Sequence, residues 1–187
     1  SIERPHRDAR TATRHLRIAD SRHTALDRAM KHVVGISEMV VSDRPEDMII
    51  TYSLGSCIGL TLYEPRLRIG GLIHCMLPLS KIDPARAVDR PCMFTDTGVP
   101  LLLTTLLNMG AEKRNLIAKV AGAASLLDNN GSFNIGERNQ VILRKLLWKN
   151  QILIQGEETG GTKARTMSLN MENGVTLLRS GGVEYEL

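Results

Sequence analysis

Met48-Ile49-Ile50-Thr51-Tyr52-Ser53-Leu54-Gly55-Ser56-Cys57, then Ile58-Gly59-Leu60-Thr61-Leu62-Tyr63-Glu64-Pro65-Arg66, then Ile69-Gly70-Gly71-Leu72-Ile73-His74 is the stretch that decides the fold. Three apolar runs are separated by Leu54-Gly55-Ser56 and by Glu64-Pro65-Arg66, so it reads as strand, turn, strand, turn, strand. The last two strands make a hairpin that carries His74 back toward Cys57. A cysteine on a flexible turn can be presented to a substrate, whereas one inside a strand is usually packed away. Thiol nucleophiles need this pairing with an imidazole, because the thiolate attacks while histidine lowers its pKa or shuttles its proton. Thr51, one strand upstream, supplies a third, orienting group. For a Cys and a His met in isolation, the competing reading is a buried structural thiol beside a hydrogen-bonded ring.

Upstream, Val33-Val34-Gly35-Ile36 and Met39-Val40-Val41 are also strand-like. Residues 79–94, with Pro84, Pro91 and several charges, read as a long irregular connection, a candidate rim or lid next to His74. A helix is predicted from Asp96 to Met109, capped by Thr95 or Asp96 and ended by Gly110. Asn115 to Ala121 is the next strand. A second helix begins near Asn134, spaced from Glu137 as in a capping box, and runs to about Lys149. Ile152–Gln155, Thr166–Asn170 and Val175–Arg179 are short strands, with Asn173-Gly174 a hairpin turn signal. Strand groups separated by two helices favour sheets covered by helices.

The 187 residues suit one core. Residues 1–32 hold eight Lys or Arg against four Asp or Glu, and the remaining 16 of each sign balance, so the net +4 belongs to the extension. Domain 33–187 is thus set apart from a basic arm, read as partly helical or disordered. Within it Arg4, Arg7, Arg10, Arg14 and Arg17 would line one helix face. A neutral body and 3% aromatic residues argue against nucleic-acid binding. No apolar stretch has membrane-spanning length, and three cysteines, an odd number, suit a reducing compartment, so the expected location is cytoplasmic with no membrane insertion.

Thr51 to Cys57, Tyr63-Glu64-Pro65, Gly70-Gly71 and His74-Cys75-Met76-Leu77-Pro78 together resemble the signature of the CheD family, chemoreceptor glutamine deamidases of chemotaxis. The resemblance continues through Asp96, Ala118 to Gly122 with Ala124-Ser125, Ile135-Gly136-Glu137-Arg138-Asn139, and Thr159-Gly160-Gly161 with Arg165. Two positions depart from it: Ala123 stands where the family usually has a second glycine, and Glu158 where it usually has aspartate.

The resemblance implies an α/β fold, a layered sandwich of mixed β-sheets flanked by helices, similar to the catalytic domain of cytotoxic necrotizing factor toxins. It implies hydrolysis of selected glutamine side chains of methyl-accepting chemoreceptors through a Cys thioester, with Cys57 as nucleophile, His74 as base and acid, and Thr51 orienting the ring. Backbone N–H groups of Ser56 and Cys57 would hold the oxyanion. Receptor methyl esters are a further possible substrate class. Neither a metal nor another cofactor is implied. A zinc site built from Cys57, His74, Cys75 and Cys92 lacks any Cys-x-x-Cys pair. The rival reading is a chemotaxis binding module that engages a CheC-type phosphatase or the receptor, with catalysis secondary. The two later motifs are read as architectural, with Arg138 able to pair with a carboxylate.

Overall fold

The computed structural model describes residues 16–18, 29–125 and 134–187. Arg4, Arg7, Arg10 and Arg14 of the basic row lie outside them. The described residues form strands β1 (Leu16–Ile18), β2 (Lys31–Val34), β3 (Glu38–Ser42), β4 (Met48–Leu54), β5 (Ile58–Glu64), β6 (Ile69–Cys75), β7 (Ile117–Gly122), β8 (Ile154–Thr159), β9 (Arg165–Asn170), β10 (Thr176–Ser180) and β11 (Val183–Glu186). With them are helices α1 (Pro84–Asp89), α2 (Thr95–Asn108) and α3 (Ile135–Lys149).

Two mixed sheets result, one ordered β1-β3-β6-β5-β7-β8 and the other β11-β10-β9-β4-β2. The hairpin of β5 and β6 is antiparallel from Ile58↔Cys75 to Glu64↔Ile69 and lies inside the first sheet, with β7 on the outer side of β5. Every residue of both strands is buried, which explains why they read as near-continuous apolar runs. One face of this sheet, through Val40, Tyr63, Leu72 and Ala121, packs on Val34, Ile49, Leu54, Met167 and Leu169 of the second sheet. Its other face, through Met39, Val41, Ile58, Leu60 and Ile73, packs under Val99, Leu102 and Leu106 of α2 and Leu143 and Leu147 of α3. The chain is therefore a layered α/β sandwich of two mixed sheets, with its long helices over the first.

Several local expectations change. The stretch 79–94 is not irregular: it contains 3-10 turns at Ser80–Ile82 and Pro91–Met93 around α1. It is pinned where the amides of Met76 and Leu77 both donate to the Met93 carbonyl at 2.9 Å. Thr95 and Asp96 are not caps but the first residues of α2, after Phe94, because tertiary partners recruit their side chains. Asp96 accepts from the amide and hydroxyl of Ser80, both at 2.8 Å. Asn134 precedes α3 with φ of 33° and donates to the Glu137 carboxylate instead of accepting from a backbone amide, so no capping box forms. Strand β8 lies later than Ile152–Gln155 because a half-exposed edge strand tolerates Glu157 and Glu158, and β11 alternates Val183, Glu184, Tyr185 and Glu186 over only four residues, too short a run to mark a strand by itself.

Within the basic arm, Leu16–Ile18 pairs in parallel with Met39–Val41. Arg17 donates to the Val33 carbonyl and meets Glu38 at 3.3 Å.

Candidate active site

The chain crosses from the second sheet to the first between β4 and β5, and Cys57 sits on that crossing. Near the end of β4 the register advances three residues, Thr51 to Leu54, against two on β9, Met167 to Arg165. This β-bulge, with Ser53 at φ of 58°, turns the chain out of the second sheet immediately before Cys57. Cys57 is half-buried and packs on the inter-sheet core. In β6, Ile73 and Cys75 face the helices, so strand alternation turns His74 to the inter-sheet side, toward Thr51 of the opposite sheet. Thr51 and His74 are both fully buried.

Thr51 Oγ1 lies 2.8 Å from His74 Nδ1 and 2.7 Å from the Val34 carbonyl oxygen. A carbonyl can only accept, and a hydroxyl has one proton to give. Thr51 therefore donates to Val34, and Nδ1 must carry the proton that it donates to Thr51. That assignment leaves Nε2 with a free lone pair, and this atom is buried without a hydrogen-bond partner among the described residues. Burial holds the imidazole pKa down at about 4, so the ring is neutral near pH 7. Burial also pushes the Cys57 thiol up, partly opposed by its own backbone N–H. The resting pair is thus neutral thiol and neutral imidazole. Of the two roles open to histidine, shuttling the thiol proton fits these directions better than holding a thiolate in an ion pair.

The turn around Cys57 is braced from behind. The amides of Ala124 and Ala123 donate to the carbonyls of Gly55 and Cys57 at 2.8 and 2.7 Å. Gly122 has φ of +106°, and a Cβ there would come within 2.4 Å of the Cys57 carbonyl oxygen, so only glycine fits. Gly136 serves the same fit one layer further out, since a Cβ would lie 2.5 Å from the Ala123 oxygen. The amide of Gly160 donates to Gly122, and that of Ser125 to Gly161, so the two glycine-bearing motifs buttress the brace. Among the described residues, the amides of Ser56 and Cys57 donate to no other residue. The Val34 carbonyl and the Ala123 and Ala124 amides were invisible to sequence reasoning because backbone groups carry no residue-type signal.

The sequence profile of the family described as CheD chemotactic sensory transduction matches residues 76–180. A probable chemoreceptor glutamine deamidase CheD of Solibacter usitatus (strain Ellin6076) is 48% identical over 155 residues, covering 83% of this chain and 92% of that protein. The probable chemoreceptor glutamine deamidase CheD 1 of Syntrophus aciditrophicus (strain SB) is 45% identical, covering 80% and 94%. The chain belongs to the CheD family. Among solved structures, the Bacillus licheniformis hypothetical protein YfiH is similar at a TM-score of 0.40 and 13% identity, covering 76% of this chain and 62% of that one.

In this CheD-family chain, Ala123 has φ of 53°, in the region that favours the glycine it replaces. Glu158 accepts from Arg165 Nε at 3.0 Å and from the Tyr185 hydroxyl at 2.5 Å, so the second departure closes an ion-pair network. Cys75 and Cys92 are buried in the helix-side core, on the opposite face of the first sheet from His74. Arg138 is exposed, with no carboxylate partner among the described residues. No described helix is long and apolar enough to cross a membrane.

Proposed function

We propose that this chain hydrolyses the side-chain amide of glutamine in chemoreceptors, with Cys57 as nucleophile, His74 as proton shuttle and Thr51 as its orienting group. The chain Val34 carbonyl, Thr51 hydroxyl, His74 imidazole carries the reading, because its proton order leaves Nε2 as a base on the side of the sandwich where Cys57 packs. The names of the related proteins, chemoreceptor glutamine deamidases, support the substrate class.

In the first half-reaction the Cys57 proton passes to His74 Nε2 as sulfur bonds to the amide carbon. The resulting oxyanion is met by the Ser56 and Cys57 amides, where one donor contributes about 3 kcal/mol. The C–N bond then breaks as Nε2 returns the proton to nitrogen, so ammonia leaves and a thioester remains. In the second, His74 takes a proton from water, hydroxide adds to the thioester carbon, and the thiolate leaves and recovers the proton. The products are glutamate and free Cys57. A neutral imidazole is the form needed to open both half-reactions, which is what burial of His74 favours.

Exposed Met76, two residues beyond His74, gives the site neighbourhood an apolar rim suited to a protein substrate, whereas Tyr52 alternates to the outer face of the second sheet beneath Lys31. The same rim would serve a CheC-type phosphatase, the partner proposed from the family resemblance, in a cytoplasmic setting. The test is mass spectrometry of a glutamine-bearing receptor fragment incubated with wild type and Cys57→Ala. Conversion adds about one dalton per side chain as amide becomes acid. Gain with wild type and none with Cys57→Ala is expected; equal gain with both removes Cys57 from the chemistry.

A further inference from the structure

Asn139 is a fully buried polar residue on the helix stripe Gly136, Asn139, Leu143 and Leu147, where the other positions are apolar or glycine. A buried side-chain amide in such a stripe is costly unless all its groups are matched. Here they are. Nδ2 donates to the Ser56 carbonyl at 3.1 Å and to the Met76 carbonyl at 3.2 Å. Oδ1 lies 3.0 Å from the Thr95 hydroxyl and receives its single proton, since the Leu77 carbonyl, 3.2 Å from the same hydroxyl, already accepts from the Thr95 amide at 2.8 Å. Because two carbonyls can only accept, the NH₂ must face them, and both of its protons are used.

Ser56 precedes the nucleophile and Met76 is two residues beyond the histidine. The ladder between β5 and β6 ends at Ile58↔Cys75, so Ser56 and Met76 lie past its last rung. Asn139 replaces the missing rungs with a side chain from the helix layer. It acts on direction as well as distance. In a planar trans peptide, C=O and N–H point to opposite sides. Holding the Ser56 carbonyl toward Asn139 therefore turns the Cys57 N–H away from the helix, just as the Ala124 bond to Gly55 turns away the Ser56 N–H.

We infer that Asn139 is a positioning residue for the deamidation reaction: it sets the spacing between the Cys57 turn and the His74 strand and aims the Cys57 amide at the oxyanion. The inference rests on the proposed deamidase reading. It treats Asn139 as a part of the catalytic geometry beyond its contribution to packing.

Two variants of the full chain test it, Asn139→Ala, which removes the clamp, and Thr95→Val, which removes only the hydroxyl that orients it. Each is assayed on the receptor fragment at a temperature where its folded fraction has been measured. For Asn139→Ala, kcat per folded molecule should fall about 100-fold, the scale of a misplaced catalytic group or a lost oxyanion donor, with KM within about twofold. Thr95→Val should fall about three- to tenfold in kcat, again with KM held, since the clamp keeps its two donors. A loss in both variants that disappears once activity is scaled to folded protein, or kcat within about twofold of wild type in both, overturns the inference. If wild type itself converts no glutamine, the deamidase reading fails and the clamp is read from the thiol. Iodoacetamide should then alkylate Cys57 at least about fivefold more slowly in Asn139→Ala than in wild type, because sulfur loses its proton acceptor. An alkylation rate within about twofold of wild type overturns the clamp independently of any substrate.

Discussion

Acidification isolates the buried histidine. Unfolded His74 titrates at its ordinary 6.5, whereas burial holds the folded side chain at about 4. Its folded pKa is depressed, so its contribution is intact above 6.5 and is lost as pH falls toward 4, where the unfolded state alone takes up the proton. At pH 4.5 the unfolded ring is almost wholly charged and the folded ring largely neutral. At about 1.4 kcal/mol per pH unit, the loss between pH 7.5 and 4.5 is roughly 2 to 3 kcal/mol. His74→Asn keeps a donor near the position of Nδ1 for the Thr51 oxygen but cannot titrate. Urea unfolding followed by circular dichroism at both pH values therefore gives a double difference in which the carboxylates, common to both proteins, cancel. Wild type should lose roughly 2 to 3 kcal/mol more than His74→Asn over this interval. Equal losses in the two proteins would refute the neutral buried imidazole, and with it the proton order assigned through Thr51.

Removing the Thr51 hydroxyl lets the ring rotate or change tautomer, so Thr51→Val should lower kcat about tenfold and Thr51→Ser should restore most of it, both read by initial rates of ammonia release. Cys57→Ala and His74→Ala should lose far more than Thr51→Val. Iodoacetamide should label Cys57 before Cys75 and Cys92, since burial drives Cys75 well above the ordinary thiol range and Cys92 to about 12. The Cys57 rate should still climb with pH through 9, as its thiol is itself raised; a plateau near neutrality would signal an ion pair. Ala123→Gly relieves a left-handed alanine, so it should stabilise the fold by about 1 kcal/mol and raise Tm by about 2–4 °C in calorimetry. Deletion of residues 1–28 should keep a single thermal transition and activity on a short glutamine peptide, while weakening binding to an intact receptor fragment most at low salt.

Local chemistry made much of this protein legible from its residues alone. Glycine and proline punctuation bounded β4, β5 and β6, unbroken apolar runs marked the central strands, and apolar periodicity located α2 and α3. The same punctuation put Cys57 on a turn and His74 at a strand end, because φ preferences and side-chain alternation act within a few residues. Thr95 and Asp96 do not cap α2 because their side chains answer to Asn139 and Ser80, distant partners that a short-range rule cannot weigh against a nearby amide, whereas Asn134 fails as a cap locally, its left-handed backbone turning its amide onto the Glu137 carboxylate. Only the packing of one sheet on the other could bring Thr51 to His74 and order their protons through the Val34 carbonyl. Only the layering of α3 over the first sheet could set Asn139 against the carbonyls of Ser56 and Met76. Those contacts join residues 17 to 83 positions apart, and they exist because burial leaves each polar group no water to turn to, so the tertiary fold must supply the partner that the local sequence does not name.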